Sequence, residues 1–135
     1  VVIRNPLSTR PWQHVLEPLS GYLVLAQELF LNGDEFAEGW NFGPKDEDCK
    51  PVNWILDKMV NYWGNNAGWF LDEKINPHEA SFLKLNCSKS AKKLKWQPKW
   101  ELRKTLKLII DWHLNYLSGN NLKQACLTEI KSYNR

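Results

Sequence analysis

Residues 10–23 read Arg10-Pro11-Trp12-Gln13-His14-Val15-Leu16-Glu17-Pro18-Leu19-Ser20-Gly21-Tyr22-Leu23, and the change of pattern inside this stretch decides the fold. Proline is tolerated in a first helical turn, and from Pro18 onward Leu19, Leu23, Ala26 and Phe30 recur at intervals of three and four. Asn32-Gly33 supplies a C-terminal stop, so the spacing predicts a helix over 17–31. Upstream, Val1-Val2-Ile3-Arg4-Asn5-Pro6 is a short apolar run closed by Asn-Pro, which reads as a buried strand entered in mid-fold.

Downstream, Gly39-Trp40-Asn41-Phe42-Gly43 alternates apolar and polar residues between glycines, the pattern of a short strand with Asn41 on the face opposite Trp40 and Phe42. After an acidic loop at 45–48, Pro51 opens a second helix with Val52, Ile55, Leu56, Met59, Val60 and Trp63 on one face, stopped by Gly64-Asn65-Asn66. Trp69-Phe70-Leu71 and Leu83-Lys84-Leu85 read as two more short strands flanking a polar loop at 72–80 that carries His78 and Glu79. A short basic helix is expected over 87–94, broken before Pro98. The longest periodic run, 101–117, places Leu102, Leu106, Ile109, His113 and Leu117 at helical intervals, and a last helix is expected over about 122–132. Residues 1–135 therefore read as one α+β domain of short strands with four to five helices, not a doubly wound sheet.

Composition narrows the function classes. Hydrophobic residues make up 43% and charged residues 24%, an ordinary globular balance, and no apolar run approaches the roughly 18 residues a membrane span requires. The net charge of +3 is modest, and Lys84, Lys89, Lys92, Lys93, Lys95 and Lys99 gather in one stretch, which confines any nucleic-acid role to a patch and reads more simply as a solvated face. Cys49, Cys87 and Cys126 are odd in number with no Cys-x-x-Cys pair, so neither a disulfide framework nor a zinc site is expected and a cytoplasmic setting fits. The seven glycines form no Gly-x-Gly-x-x-Gly turn, and His14, His78 and His113 lack the spacing of a metal set.

Arg4, Arg10, Trp12, Gln13 and His14 place forked donors and flat surfaces within a few residues, a set suited to an anion; the alternative is ion pairing for the arginines and a core role for Trp12. His113, on the apolar face of the long helix, reads as a core histidine. His78-Glu79 falls in a polar loop, where binding groups are commonly displayed on a rigid scaffold.

Beyond these local readings, residues 1–6 and 10–23 resemble the CDP-glucose 4,6-dehydratase branch of the extended short-chain dehydrogenase/reductase superfamily. The likeness continues through Glu38-Gly39-Trp40-Asn41-Phe42-Gly43-Pro44, Pro77-His78-Glu79-Ala80, residues 83–89 and Leu94-Lys95-Trp96-Gln97-Pro98-Lys99-Trp100, and covers essentially the whole chain. It implies the small C-terminal, nucleotide-sugar-binding domain of a two-domain, homo-oligomeric enzyme whose Rossmann domain, outside these residues, holds NAD. The implied reaction oxidises CDP-glucose at C4, removes water across C5 and C6 and returns the hydride to C6, with no nucleic acid or membrane partner. Catalytic residues are implied to lie upstream; no Tyr-x-x-x-Lys occurs here, and the chain alone is expected to be inactive. By position in the pattern, Arg10 matches the arginine on the diphosphate, Arg4 a position against the nucleobase, Asn41 an asparagine of the nucleotide-sugar site, and His78-Glu79 a second substrate-contacting segment. Asn76 stands where several relatives carry an arginine, and His78 is the residue that could take over part of its contact. The competing readings are another nucleotide-sugar dehydratase or epimerase, and a non-catalytic carbohydrate- or single-strand-binding module that uses the eight tryptophans for stacking.

Overall fold

The computed structural model describes residues 1–74 and 80–134. In chain order the elements are β1 (Val2–Ile3), β2 (Thr9–Pro11), α1 (Leu16–Asn32), β3 (Cys49–Pro51), α2 (Val52–Trp63), β4 (Phe70–Leu71), α3 (Ser88–Lys93), α4 (Leu102–Leu117) and α5 (Leu122–Tyr133). Among the described residues this is the α+β class, with five helices and short strands, that the periodicities predict. The strands form two separate ladders. β1 pairs in parallel with β4, Val2 opposite Phe70 and Ile3 opposite Leu71, while β2 pairs antiparallel with β3, Arg10 opposite Lys50.

α1 covers the helix expected at 17–31 and stops where Gly33 takes a φ of 69°, a left-handed conformation that glycine adopts without a Cβ penalty. At its start the Leu16 N–H donates to Nδ1 of His14 at 3.2 Å, and the Glu17 N–H donates to the His14 carbonyl at 3.0 Å. The first backbone donors of α2 are also used: Val52 N–H goes to the Ser8 carbonyl and Asn53 N–H to the Pro6 carbonyl, at 3.1 and 2.8 Å. These two bonds lock the turn before β2 onto α2.

Two apolar clusters hold the helices. Ile55 of α2 packs with Leu102 and Leu106 of α4, with Trp12 and Trp54 at the margin. Farther along, Trp63 meets His113 at 5.5 Å between ring centroids, so α2 and α4 run side by side in the same direction. The second cluster joins Phe42, Leu94 and Trp96, with Val24 and Leu25 of α1 against it. Phe42 stands edge-on to Trp96 and lies against Gly21 of α1, where a Cβ would fall 2.6 Å from ring carbons. Only glycine at 21 lets α1 approach this closely.

Between the clusters lies Glu17, fully buried. Its carboxylate accepts hydrogen bonds from the Lys99 N–H at 3.0 Å, the Trp100 N–H at 2.8 Å and the Tyr133 hydroxyl at 2.6 Å. Ser20, one turn on, accepts from Trp96 Nε1 at 2.8 Å and lies 2.9 Å from the same hydroxyl. A buried carboxylate persists only when its oxygens are satisfied, and here three donors from two distant segments do so.

Four expectations change. Residues 39–43 are extended but form no strand, because side chains take the carbonyls that a neighbouring strand would use: Lys89 Nζ donates to Gly39 O, Ser90 Oγ to Asn41 O and Gln13 Nε2 to Phe42 O, at 2.9, 2.7 and 2.8 Å. Residues 83–85 are no strand either; pairing is limited to a bridge between Thr9 and Phe82 and one bond from the Leu83 N–H to the Thr9 carbonyl. Val1 and Val2 are exposed, not buried, since β1 has only β4 beside it among the described residues. His113 is exposed at the rim of the α2–α4 contact instead of lying in the core, because the apolar stripe of α4 is buried through Leu102, Leu106 and Ile110 near the start of the helix.

Candidate functional site

The structure gives three residues of the polar stretch before α1 packing roles. Trp12 Nε1 donates to the Lys50 carbonyl at 2.8 Å and its ring packs on the α2–α4 cluster; Gln13 holds Phe42. His14 is buried edge-on to Trp100, at 5.0 Å, and burial pushes its imidazole below the usual histidine range. It is neutral at pH 7, so its 3.7 Å approach to Glu129 is no ion pair there. Trp12, Gln13 and His14 are thus architecture, and the anion-binding expectation narrows to the arginines.

Arg10 sits at the centre of β2, half-buried, with backbone pairing to β3 fixing its Cα. Its guanidinium donates to the Thr9 carbonyl at 2.9 Å. Thr9 is held from a second side by bonds with residues 81 and 83, so the strand carrying Arg10 is clamped between β3 and the segment that follows the 72–80 loop. That is the rigid placement a planar, bidentate donor needs to be selective. Asn41 is exposed, with Phe42 buried and Trp40 half-buried, so the expected alternation of faces survives without a ladder. Its Nδ2 donates to the Asn86 carbonyl at 3.2 Å. Gln13, three residues after Arg10, bonds the carbonyl of the residue next to Asn41.

Arg4 lies after β1, exposed, on the other side of the Asn5–Ser8 turn. His78 and Glu79 lie outside the described residues.

Lys50, directly opposite Arg10, went unnoticed in the sequence. The signal was available only as a Lys-Pro step before a helix, and antiparallel registry cannot be read from that. The lysine stretch, by contrast, is partly paired: Lys89 and Lys93 share Glu38 at 2.7 and 3.2 Å, and those two bonds hold the Glu38 carboxyl below the usual carboxylate range. Lys84 pairs with Asp46 at 3.3 Å and Lys99 donates to the Tyr133 carbonyl at 3.1 Å. A concavity of about 430 Å³ between α2 and α4 is apolar, lined by Met59, Trp63, Ile109 and His113 among others, and includes none of Arg4, Arg10 and Asn41. Among the described residues no group of His, Cys, Asp and Glu is arranged to hold a metal, and no helix is long and apolar enough to cross a membrane.

The described residues form a small α+β fold of five helices and few short strands, consistent with the C-terminal part of an extended short-chain dehydrogenase/reductase. Comparison with known proteins sharpens this class. The chain is 54% identical over 133 residues, 98% of its length, to CDP-glucose 4,6-dehydratase of Salmonella typhimurium strain LT2, and is similar to the C-terminal part of that protein. It spans 37% of that relative's length. No protein-family model matches the chain.

Proposed function

We propose that this chain is the substrate-binding part of a CDP-glucose 4,6-dehydratase, a cytoplasmic, homo-oligomeric enzyme that uses NAD. The observation that carries the reading is identity of 54% over 133 residues, 98% of the chain. In this reading Arg10 grips the diphosphate of CDP-glucose through its forked N–H groups, Arg4 lies against the cytosine and Asn41 hydrogen-bonds the nucleotide-sugar, while His78 and Glu79 contribute from the intervening loop.

The residues present do not fit NAD. No glycine-rich turn occurs in the sequence, and the described strands form only two-stranded ladders, without the βαβ sheet edge that receives a dinucleotide. The cofactor belongs to another part of the whole protein, and the chain by itself is inactive. The exposed apolar face of α1, with Leu19, Tyr22, Leu23 and Phe30, supports such a partner, because apolar surface of this extent is favourably removed from water by a covering domain.

The test is turnover by the full-length protein that contains this chain, supplied with NAD and either CDP-glucose or UDP-glucose. Formation of the 4-keto-6-deoxy product from CDP-glucose in clear preference supports the assignment. Equal use of UDP-glucose, or no turnover of CDP-glucose, overturns it.

A further inference from the structure

Trp54, in the first turn of α2, is ringed by three cations from three different elements. Lys50 Nζ of β3 and Lys58 Nζ of α2 each lie 5.7 Å from the centroid of its ring, and the guanidinium carbon of Arg103 of α4 lies 5.6 Å from it. Any two of these charges are therefore at most about 11 Å apart, beyond the roughly 8 Å screening length at physiological ionic strength but well inside the roughly 30 Å at 0.01 M salt, where they repel one another. No carboxylate pairs with any of the three among the described residues. The acidic side chains nearest in sequence are engaged elsewhere: Asp57 accepts from Trp69 Nε1 at 3.0 Å, and Asp48 accepts from the Leu102 N–H at the start of α4. The contrast with Glu38, which pairs with two of the lysines on α3, is direct.

We propose that Lys50, Lys58 and Arg103 around Trp54 form a binding site for a small, multiply charged phosphate anion of the pyrophosphate class. The ring attracts the cations and holds their heads around one side chain. Because the cations occupy the surroundings of the indole, the ligand is held by charge and hydrogen bonds and not by stacking of a base. Because they come from three elements, a compact anion with several oxygens satisfies them together where a single carboxylate does not. The first backbone donors of α2 are already bonded to Pro6 and Ser8, so the site consists of side chains alone. Lys50 stands opposite Arg10, but α2 and α4 supply the other two cations, so the site stands on residues that the nucleotide-sugar reading does not use.

The test follows the indole N–H resonance of Trp54 in this chain during titration with sodium pyrophosphate at low ionic strength. The expected result is a saturable shift, weakened by added sodium chloride and about tenfold weaker in Lys58→Ala/Arg103→Ala, as loss of charge-assisted bonds implies. Both substitutions lie on helix surfaces and replace good helix formers with alanine, and an otherwise unchanged amide spectrum confirms that the double variant folds. Absence of a saturable shift at Trp54, or a shift that survives the double substitution and vanishes in Arg10→Ala, overturns the proposal. Neither result bears on turnover of CDP-glucose by the full-length protein.

Discussion

The Tyr133 hydroxyl donates a 2.6 Å hydrogen bond to the carboxylate of Glu17, joining the end of α5 to the start of α1 across 116 residues. Two backbone N–H groups, of Lys99 and Trp100, complete the shell of that carboxylate. Removing the phenolic donor leaves the other two bonds in place, so Tyr133→Phe is expected to cost about 1–2 kcal/mol. Glu17→Ala strands two buried N–H groups and the hydroxyl together and is expected to cost about 3–5 kcal/mol. Urea unfolding of the two variants checks the order; equal, small effects would contradict the central place of Glu17.

The same contact sets an alkaline limit. Burial, and then the hydrogen bond to Glu17, push the Tyr133 phenol up to about 12 from the usual value near 10. Between those values the folded chain holds a proton that the unfolded chain has lost, so stability falls as pH rises through the interval, by about 2–3 kcal/mol in all. That part of the decline disappears in Tyr133→Phe. On the acid side the sign is opposite: burial lowers the His14 pKa, the unfolded chain binds more protons below about 6.5, and stability falls as pH drops through that range. Denaturation midpoints across pH, wild type against variant, measure both slopes.

Gly21→Ala sets two effects against each other. Inside an exposed helix the change gains about 1 kcal/mol of helix propensity. Here the added Cβ meets the Phe42 ring, and overpacking of this kind costs about 1–3 kcal/mol. The net expectation is destabilisation, read as a lower melting temperature; an increase would show that Phe42 is free to move aside.

Leu23 and Phe30 of α1 are 73% and 90% exposed. In the chain on its own, Leu23→Asp and Phe30→Asp are expected to leave stability within about 0.5 kcal/mol and to reduce concentration-dependent association seen in sedimentation. In the full-length protein the same changes are expected to destabilise, because the proposed reading places a covering domain on this face.

The helices were legible because each carries its own punctuation: Pro18 and Gly33 bracket α1, and Gly64 ends α2. The extended segment at 39–43 misled because alternation reports which face is buried but not whether a strand stands alongside; Lys89, Ser90 and Gln13 take that place. Glu17 read only as part of a helix start, since nothing local marks a carboxylate whose partners are 82, 83 and 116 residues away. Trp12, Gln13 and His14 carried a binding composition and turned out to be packing groups, while Arg10 is half-buried on a strand whose backbone is fixed by pairing with β3. Composition names the groups available; long-range pairing decides which of them face a ligand.

The central claim is that Arg10 holds the diphosphate of a cytidine nucleotide-sugar. The measurement that meets it most directly is calorimetric titration of the full-length protein, wild type and Arg10→Ala, with CDP-glucose and UDP-glucose. The account predicts tighter binding of CDP-glucose and a loss of at least about tenfold in Arg10→Ala, the equivalent of one charge-assisted contact. Affinity unchanged by Arg10→Ala, or equal for the two nucleotide-sugars, would contradict it.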